Sequence, residues 1–558
     1  MSDAEPAAKA KPANGGTLLV ASLLAQGVDR VFCVPGESYL PVLDALFDAP
    51  EIAVVTARHE GAAANMAEAD GKLTGRPGIC MVTRGPGATH ACVGVHTAMQ
   101  DSTPMILFIG QVASDARDRE GFQEIDYRAM FAPLAKWAAE IDDAQRIPEY
   151  VARAYRVAMQ GRMGPVVLSL PEDMLSGAIG MRPVSPRIEP AQSAPRPQDL
   201  RALAARLAVA ERPLLVLGGT GWTDASLAAL VGFAERGGIP VVSSFRRQGL
   251  IDNEHPNYCG HMGLGIDPRL ARRVAESDLI LAVGTRLGEN TSGGYELIAP
   301  PLARQPIVHV HPDPNEVGHV FQPELGIACS LAGFGDALAG LAVEGAGPRR
   351  AWLEAARADY VDFSTAPAPR SDYVDLGTVV GWLSTRVAPG TIIANGAGNY
   401  CAWVHRYFRY RHPHTELAPT SGAMGYGVPA AIAAALRHPD RQVIAFAGDG
   451  CFLMYPQELG TAVQNGAKLV ILIANNGTYG TIRMHQEHRF PGRVIATDIV
   501  SPDFAALARS FGAFGERVET TADFAPAFER ALACGGPAVL DLRTDPLQIA
   551  PTIRIPAR

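Results

Sequence analysis

The 558-residue chain lacks several features that are typical of common protein classes. Its eight cysteines include no Cys-x-x-Cys pair, which argues against a zinc site or a disulfide framework and favours a reducing cytoplasm. The 49 basic and 57 acidic side chains form no long run of either sign, so we expect neither nucleic acid nor a membrane surface as partner. No apolar run is long enough to span a membrane, and residues 1–14 lack an apolar core of signal-peptide type. These absences predict a cytoplasmic protein with a mobile tail over residues 1–14.

The chain contains instead an alternation of short apolar segments with alanine-rich helical segments. Segments 78–82 and 105–110 are apolar enough to be buried strands, and the alanine-rich segments 61–70 and 88–99 precede them. This order is typical of a parallel sheet that helices cover on both faces. The chain is also too long for a single hydrophobic core. We therefore predict an α/β protein of three doubly wound parallel-sheet domains.

Two segments that continue neither a sheet nor a helix set the predicted domain boundaries. Segment 180–200 contains five prolines, and a stretch rich in Gly, Ala and Pro lies around 342–370. The first and third domains share the same alternation of predicted strands and helices, and we expect them to be structurally similar. The predicted units are an N-terminal domain over 15–185, a central domain over 186–345, a linker over 346–369 and a C-terminal domain over 370–558. The predicted strands are 31–34, 52–55, 78–82, 105–110, 166–170, 213–217, 240–243, 278–283, 306–310, 390–394, 443–447, 469–474 and 538–542.

The most specific chemical signal lies in segment 443–480, VIAFAGDGCFLMYPQELGTAVQNGAKLVILIANNGTYG. One predicted strand ends in Gly-Asp-Gly at 448–450, and the next ends at Asn476, with one helix between them. Because ligands bind beyond the carboxyl ends of parallel strands, Asp449 and Asn476 are expected at the same edge of the sheet. Gly-Asp-Gly alone is common in ordinary turns, so the prediction depends on the pairing of the two motifs.

The residue types at this predicted edge suit a metal-bridged diphosphate. The Asp449 carboxylate, the Asn476 amide oxygen and the backbone carbonyl of Thr478 would be hard oxygen ligands for Mg²⁺, which completes its shell with phosphate and water. The backbone amides of Gly450 and Cys451 at the helix start could bind the diphosphate, and glycine permits its close approach.

A second candidate site begins at Glu60 in segment 58–71, RHEGAAANMAEADG. This segment follows a predicted strand and reads as a turn and then a helix with Glu60 in its first turn. A carboxylate there can simply interact with the positive end of the helix dipole. The sequence around Glu60 therefore does not by itself distinguish a catalytic acid from a helix-stabilising residue.

Gly-Asp-Gly followed by Asn-Asn at this spacing resembles the diphosphate motif of thiamine diphosphate enzymes. Nearly the whole chain matches the order of their pyrimidine-binding, central and diphosphate-binding domains, and segment 58–71 resembles the one that contains their catalytic glutamate. The segments similar to acetolactate synthases are TRGPGATH (83–90), IGQV (109–112), GFQEID (121–126) and AKW (135–137). The resemblance implies an enzyme that uses thiamine diphosphate and Mg²⁺ to decarboxylate a 2-oxoacid such as pyruvate and to join the product to a carbonyl acceptor.

The resemblance also implies a role for Glu60. In this family a glutamate exchanges a proton with N1′ of the aminopyrimidine, whose imino tautomer can remove the proton from the thiazolium C2. The glutamate acts on a cofactor that the third domain of another subunit binds. A homodimer is therefore the minimal active unit expected, and a homotetramer is compatible with it.

Further site residues follow from the same resemblance. Met424 is expected beneath the bent cofactor, although most methionines are simply core residues. Glu37 either contacts substrate or caps the following helix, and Gln111, Lys136 and His485 would otherwise be solvated. The predicted cofactor contacts are Gly398, Asn399, Gly422, Met424, Gly448, Gly450, Cys451, Asn476 and Tyr479, and the metal ligands are Asp449, Asn476 and Thr478. The predicted catalytic residues are Gly36, Glu37, Glu60 and Gln111, and the candidate substrate contacts are Ser38, Phe122, Lys136, Asn290 and His485.

Two departures from the family leave the substrate and a second cofactor open. Acetolactate synthases usually have an arginine for the acceptor carboxylate where this chain has Asn290, and asparagine cannot replace that charge. The alternative is a lyase or decarboxylase that acts on another 2-oxoacid, a 2-hydroxyketone or an acyl-CoA, and a remote alternative is a non-catalytic nucleotide-binding scaffold. The turns GGTGW (218–222) and VHPDPNEVG (310–318) are compatible with FAD, with ADP or with no nucleotide in the central domain.

Overall fold

The computed structural model describes residues 13–180, 182–343, 346–368 and 372–556. It contains three six-stranded sheets, in each of which every pair of neighbouring strands is parallel. The predicted α/β class with three doubly wound sheets is confirmed. Most of the predicted tail, residues 1–12, lies outside the described residues, whereas Asn14 caps the first helix and forms a bridge with Ala178.

The first sheet has the strand order β2-β1-β3-β4-β6-β5. Its interior strands β3, β4 and β6 are buried along their whole length because helices cover both faces. The strands are β1 (Arg30–Cys33), β2 (Ala53–Thr56), β3 (Gly78–Val82), β4 (Met105–Gln111), β5 (Trp137–Glu140) and β6 (Pro165–Pro171). The helices are α1 (Gly15–Ala25), α2 (Leu40–Phe47), α3 (Glu60–Thr74), α4 (Gly85–Asp101), α5 (Tyr127–Phe131), α6 (Ile147–Met159) and α7 (Glu172–Ser176).

The second sheet has the strand order β12-β11-β10-β7-β8-β9. Its strands are β7 (Pro213–Leu217), β8 (Val241–Ser243), β9 (Tyr258–His261), β10 (Leu279–Val283), β11 (Ile307–His311) and β12 (Leu325–Ala328). Its helices are α8 (Pro197–Val209), α9 (Asp224–Gly237), α10 (Pro268–Glu276), α11 (Leu331–Ala339) and α12 (Ala346–Phe363).

The third sheet has the strand order β14-β13-β15-β16-β18-β17, which repeats the order of the first sheet strand for strand. The predicted similarity of the first and third units is therefore confirmed. The strands are β13 (Ile392–Asn395), β14 (Glu416–Leu417), β15 (Val443–Gly448), β16 (Val470–Asn475), β17 (Phe514–Val518) and β18 (Ala538–Arg543), and a hairpin of β19 (Gln548–Ala550) and β20 (Ile553–Arg554) follows. The helices are α13 (Leu376–Arg386), α14 (Cys401–Tyr407), α15 (Gly427–Arg437), α16 (Asp449–Phe452), α17 (Glu458–Gln464), α18 (Gly480–Arg489), α19 (Phe504–Ser510) and α20 (Thr521–Ala533).

The predicted linker over 346–369 contains helix α12, which packs against the second sheet. The fully buried Arg349 donates hydrogen bonds to the carbonyls of Ala210 and Gly237, each 2.9 Å away. These carbonyls lie at the carboxyl ends of α8 and α9, where a cation interacts favourably with the helix dipoles. The glycine and proline content of this segment suggested a linker, but Arg349 and the buried Tyr360 attach it to the central core.

The alanine-rich helix α3 connects the first and third sheets. It packs between α4 and α15, and one hydrophobic core extends from strands of the first sheet to strands of the third. Small side chains allow the close packing, since a Cβ at Gly94 of α4 would lie 2.4 Å from the Cβ of Ala64. The helix that begins at Glu60 is therefore held from both sides.

A buried ionic cluster lies where the three units meet. Lys72 Nζ is 3.1 Å from the Glu68 carboxylate and 2.5 Å from that of Asp101, and Arg247 of the second unit is 3.7 Å from Asp101. The backbone amide of Thr420 in the third unit donates to Asp101 Oδ1 at 2.7 Å. Burial alone would raise the pKa of Asp101, but the charges of Lys72 and Arg247 and the hydrogen bonds lower it to about 2.

Asp101→Asn is expected to destabilise the fold because it leaves Lys72 and Arg247 with one buried anion fewer. Breaking a buried ion pair costs several kcal/mol, and we expect about 3 kcal/mol because Lys72 keeps Glu68. This corresponds to a fall in Tm of roughly 6–12 °C for a folding unit of this size. Calorimetry at pH 7 would measure it. The control is Glu149→Gln, which removes an exposed pair with Arg146 and should leave Tm unchanged; an equal Tm for both variants would contradict the prediction.

Candidate active site

A cavity of about 250 Å³ lies at the carboxyl edge of the third sheet. Its position follows from the parallel topology, because β13, β15 and β16 are neighbours and their carboxyl ends meet there. The cavity is lined by every predicted cofactor contact and metal ligand of the third unit: Gly398, Asn399, Gly422, Met424, Gly448, Asp449, Gly450, Cys451, Asn476, Thr478 and Tyr479. The structure thus brings together residues as distant in the chain as Gly398 and Tyr479.

Asp449 is the first residue of α16 and follows β15 directly. Its side chain is only 2% exposed and accepts hydrogen bonds from the backbone amides of Gly450 and Gly477, both at 2.8 Å, and from the Ser501 hydroxyl at 3.2 Å. Burial raises the pKa of Asp449, and these hydrogen bonds offset the effect only in part. A bound cation would favour the ionised carboxylate at this position.

Asn476 and Thr478 occupy the turn that follows β16. The backbone amide of Thr478 donates to Asn476 Oδ1 at 3.1 Å, and the buried Thr478 hydroxyl donates to the Thr497 carbonyl at 2.9 Å. These contacts fix the turn next to Asp449, whose Oδ2 binds the intervening Gly477 amide. The carboxylate, amide and carbonyl oxygens around this edge are the ligand types that Mg²⁺ prefers.

The walls of the cavity approach each other at two glycines. A Cβ at Gly450 would lie 2.6 Å from the Tyr479 ring, so only glycine fits beneath that ring. Gly425 has a φ of 81° and donates its backbone amide to Cys451 Sγ at 3.2 Å. Cys451 therefore connects the turn after β15 to the turn that contains Met424. Met424 is half-buried, lines the cavity and also packs against the core of the third unit.

Glu60 begins α3, as predicted, but it does not line this cavity. The His59 side chain caps the helix by accepting the Gly61 amide at 3.0 Å. The Glu60 side chain is 14% exposed, and its Oε2 lies 2.8 Å from Nδ1 of His90 on α4. Its environment therefore includes a specific partner for the carboxylate in addition to the helix dipole.

The turn before Glu60 is held by the third unit. The fully buried Glu458 of α17 accepts the backbone amide of Arg58 at 3.1 Å, and burial raises the pKa of Glu458. The Tyr455 ring lies 5.2 Å from that of His59. Glu458, Tyr455 and His90 could not be predicted from local sequence, because their partners are distant in the chain. The signal for His90 was its position at the end of the TRGPGATH motif.

The predicted residues after β1 have structural contacts. Ser38 is buried and shares a 2.9 Å hydrogen bond with the Thr83 hydroxyl, and it does not line the cavity of the third unit. Glu37 is exposed, begins the short 3₁₀ helix Glu37–Tyr39 and lies 3.6 Å from Arg84. A Cβ at Gly36 would lie 2.4 Å from that of Thr83, which explains the glycine by close packing.

Four other predicted residues lie away from the cavity. The buried Gln111 uses its amide nitrogen for the Ile125 carbonyl and its oxygen for the Val112 amide, both at 2.9 Å. Lys136 donates to the carbonyls of Val157 and Gln160 at the end of α6, and burial lowers its pKa to about 8. Phe122 is 73% exposed, and His485 is exposed on α18. Gln111 and Lys136 thus contact the backbone in the single chain, and their roles at the site stay predictions.

Asn290 lies in a different cavity, of about 400 Å³, where the second unit meets the other two. Arg162, Arg247 and Arg286 also line it, together with the glycine turns at Gly219 and Gly284. Arg286 donates to the Gln100 carbonyl at 2.6 Å, and burial lowers its pKa to about 10. The positive side chains and glycine turns suit the phosphates of a nucleotide.

Models of three domains of thiamine pyrophosphate enzymes match the chain; thiamine pyrophosphate is another name for thiamine diphosphate. The N-terminal TPP binding domain matches residues 13–130, the central domain residues 200–339 and the C-terminal TPP binding domain residues 396–542. None of the helices in the described ranges combines the length and hydrophobicity that crossing a membrane requires.

Several relatives are similar to this chain in sequence over most of their length. A probable acetolactate synthase large subunit of Methanocaldococcus jannaschii is 31% identical, with 97% of this chain and 93% of the relative covered. The acetolactate synthase large subunit of Parasynechococcus marenigrum is 33% identical, with 90% and 83% covered. That of Corynebacterium glutamicum is 31% identical, with 94% and 86% covered.

Proposed function

Because the chain belongs to the thiamine pyrophosphate enzyme family and is an acetolactate synthase-like enzyme, we propose that it decarboxylates a 2-oxoacid such as pyruvate and joins the product to a carbonyl acceptor. The observation that supports this proposal is the single cavity that contains Asp449, Asn476 and Met424 at the carboxyl edge of the third sheet. Glu60 at the start of α3 supplies the acid that the reaction requires.

The third unit is the proposed site of the diphosphate and its metal. Asp449, Asn476 and the Thr478 carbonyl would hold Mg²⁺, and the Gly450 and Cys451 amides at the start of α16 would bind the diphosphate. Thiamine diphosphate, when bound, supplies a nucleophilic carbon and an electron sink for the decarboxylation. Met424 would support the ring system from the turn that Cys451 anchors.

Glu60 is proposed to hold and to move a proton at N1′ of the pyrimidine. A carboxylate can accept and donate this proton, which an amide of the same shape cannot do. Because Glu60 does not line the cavity of its own chain, we propose that it serves the cavity of a second copy. This arrangement requires at least a homodimer and is compatible with a homotetramer.

The cavity that contains Asn290, where the second unit meets the other two, is proposed to bind FAD or ADP. Its volume of about 400 Å³ and its lining by Arg162, Arg247 and Arg286 support a ligand with a diphosphate group. Asn290 lies in the same cavity and brings no positive charge for an acceptor carboxylate. This observation favours the alternative that the enzyme is a lyase or decarboxylase of another 2-oxoacid, a 2-hydroxyketone or an acyl-CoA.

Product analysis distinguishes these proposals. We expect the purified enzyme with thiamine diphosphate and Mg²⁺ to convert pyruvate into acetolactate, which proton NMR of the reaction mixture would detect. Parallel reactions with and without FAD would show whether the cavity that contains Asn290 requires a flavin. Pyruvate that stays unchanged while calorimetry shows bound cofactor would contradict carboligation from pyruvate, and a screen of other donors would then test the lyase proposal.

A further inference from the structure

The contact between Glu60 and His90 differs from an ordinary surface ion pair. Oε2 of Glu60 and Nδ1 of His90 are 2.8 Å apart, and the His90 side chain is 51% exposed whereas that of Glu60 is 14% exposed. Among the described residues, Glu60 is the hydrogen-bond partner that the structure gives to the His90 ring. In the single chain, the ring therefore lies between a shielded carboxylate and the open surface.

The neighbours of His90 hold its ring in place. The His59 and His90 rings stack, with centroids 4.5 Å apart and planes inclined by 30°. His59 accepts the Gly61 amide at Nδ1, so its own proton is on Nε2 and its tautomer is fixed. Burial and, secondarily, the charge of His90 lower the pKa of His59. Behind His59 lie Tyr455 and Glu458. Tyr39 and Cys80 lie close enough to Glu60 that their own burial and, secondarily, the charge of Glu60 raise their pKa.

The two carboxylate oxygens of Glu60 face different neighbours. Oε2 faces His90, and Oε1 faces Gly87, where a Cβ would still be 3.5 Å away. His59, Glu60 and His90 place one potential metal ligand each within 4.8 Å of one another. Because the helix cap already occupies His59 Nδ1, the pair of Glu60 and His90 is better defined than the group of three.

We propose that His90 is a relay residue that exchanges protons between Glu60 and water on the open side of its ring, which in the proposed homodimer is water within the shared site. A proton from water adds to Nε2 of the neutral ring, and the proton on Nδ1 passes to Oε2 of Glu60, which leaves the ring neutral. The reverse sequence returns the proton to water, so no charge accumulates. Imidazole is suited to this task because it gains and loses protons near neutral pH. His90 acts through Glu60, and the inference rests on the proposed role of Glu60.

The first measurement tests the contact without cofactor. In protein labelled at histidine Cε1, the His90 signal is assigned by its loss in His90→Asn. Glu60→Gln should move this signal at pH 7, whereas the signals of the buried His261 and His405 should stay in place. A His90 signal that does not respond to Glu60→Gln would overturn the proposal whatever the enzyme's activity.

The second measurement follows exchange of the C2 proton of bound thiamine diphosphate by quenched flow and NMR. His90→Asn keeps a hydrogen-bond donor beside Glu60 but cannot pass a proton through, and it should slow exchange roughly 10- to 100-fold while cofactor affinity stays within about twofold of the wild-type value. The pH profile of the exchange rate should also differ from that of the wild type. C2 proton exchange in His90→Ala should be slow as well, and added imidazole should accelerate it.

The outcomes separate this inference from the proposed function. Slow exchange with an unaltered pH profile and no rescue by imidazole would mean that His90 only supports the structure, and the relay would be wrong. Wild-type rates in His90→Asn would also overturn it. Wild-type enzyme that binds the cofactor without any C2 exchange would instead contradict the proposed function and, with it, the relay. Because His90 is half-exposed, both variants are expected to fold, and His90→Gln provides a third substitution with the same expectation as His90→Asn.

Discussion

Glu60→Gln is expected to slow exchange of the C2 proton of bound thiamine diphosphate by roughly 10²- to 10⁴-fold, the range that removal of a general acid or base produces. Glutamine preserves the shape of the side chain and can still hydrogen-bond to N1′, but it cannot take up and release the proton. Cofactor affinity should therefore change little. Quenched-flow NMR measures the exchange, and calorimetric titration measures the affinity of the same preparation.

The control for this prediction addresses the simpler explanation that Glu60 only favours the helix dipole. Glu149 is likewise an acidic residue in the first turn of a helix, α6, but it is exposed and remote from the Glu60 environment. Glu149→Gln should leave the exchange rate unchanged. If Glu60→Gln also left the exchange rate unchanged and altered only stability, by the roughly 0.3–1 kcal/mol of a dipole contact at Glu60, the catalytic role of Glu60 would be refuted.

The interior of the fold could be predicted from sequence because central parallel strands are covered on both faces. Strands such as β3 and β7 are continuous apolar runs, and their predicted bounds are those of the structure. The edge strands β5, β12 and β17 were not identified, since each has half-buried positions and no continuous apolar run. Strand β14 has only two residues, Glu416 and Leu417, and is set entirely by its neighbour β13.

The two candidate sites also differ in how far they can be predicted from sequence. Asp449 and Asn476 could be paired from sequence because both follow adjacent strands, and topology alone brings their strand ends together. The environment of Glu60 depends on contacts such as that of Arg58 with Glu458, 400 residues away, which no local pattern encodes. Lys136 illustrates a contact that no motif encodes, since its amine donates to the Gln160 carbonyl at the end of α6, and its substrate contact stays a prediction.

Asp449→Asn is expected to weaken binding of thiamine diphosphate with Mg²⁺ by at least about 100-fold. Burial disfavours the ionised form of the wild-type carboxylate and so raises its pKa. A bound divalent cation would favour the ionised form and offset this effect. Asparagine removes the charge and replaces one of the two oxygens that accept the Gly450 and Gly477 amides by an amide NH2 group, which cannot accept. The metal therefore loses a charged ligand, and the diphosphate loses the ion that would neutralise it.

A matched control separates loss of the metal from loss of a buried aspartate. Asp541 on β18 is also buried, its pKa is likewise raised by burial, and it binds Asn475 at 2.9 Å, but it does not line the cavity. Asp541→Asn should retain cofactor affinity even if it lowers Tm. Saturating cofactor should stabilise the wild type by about 2.7 kcal/mol at a concentration 100 times Kd, and the same concentration should leave Asp449→Asn almost unchanged. Equal thermal shifts in Asp449→Asn and the wild type would place the metal elsewhere and would refute the role of this carboxylate.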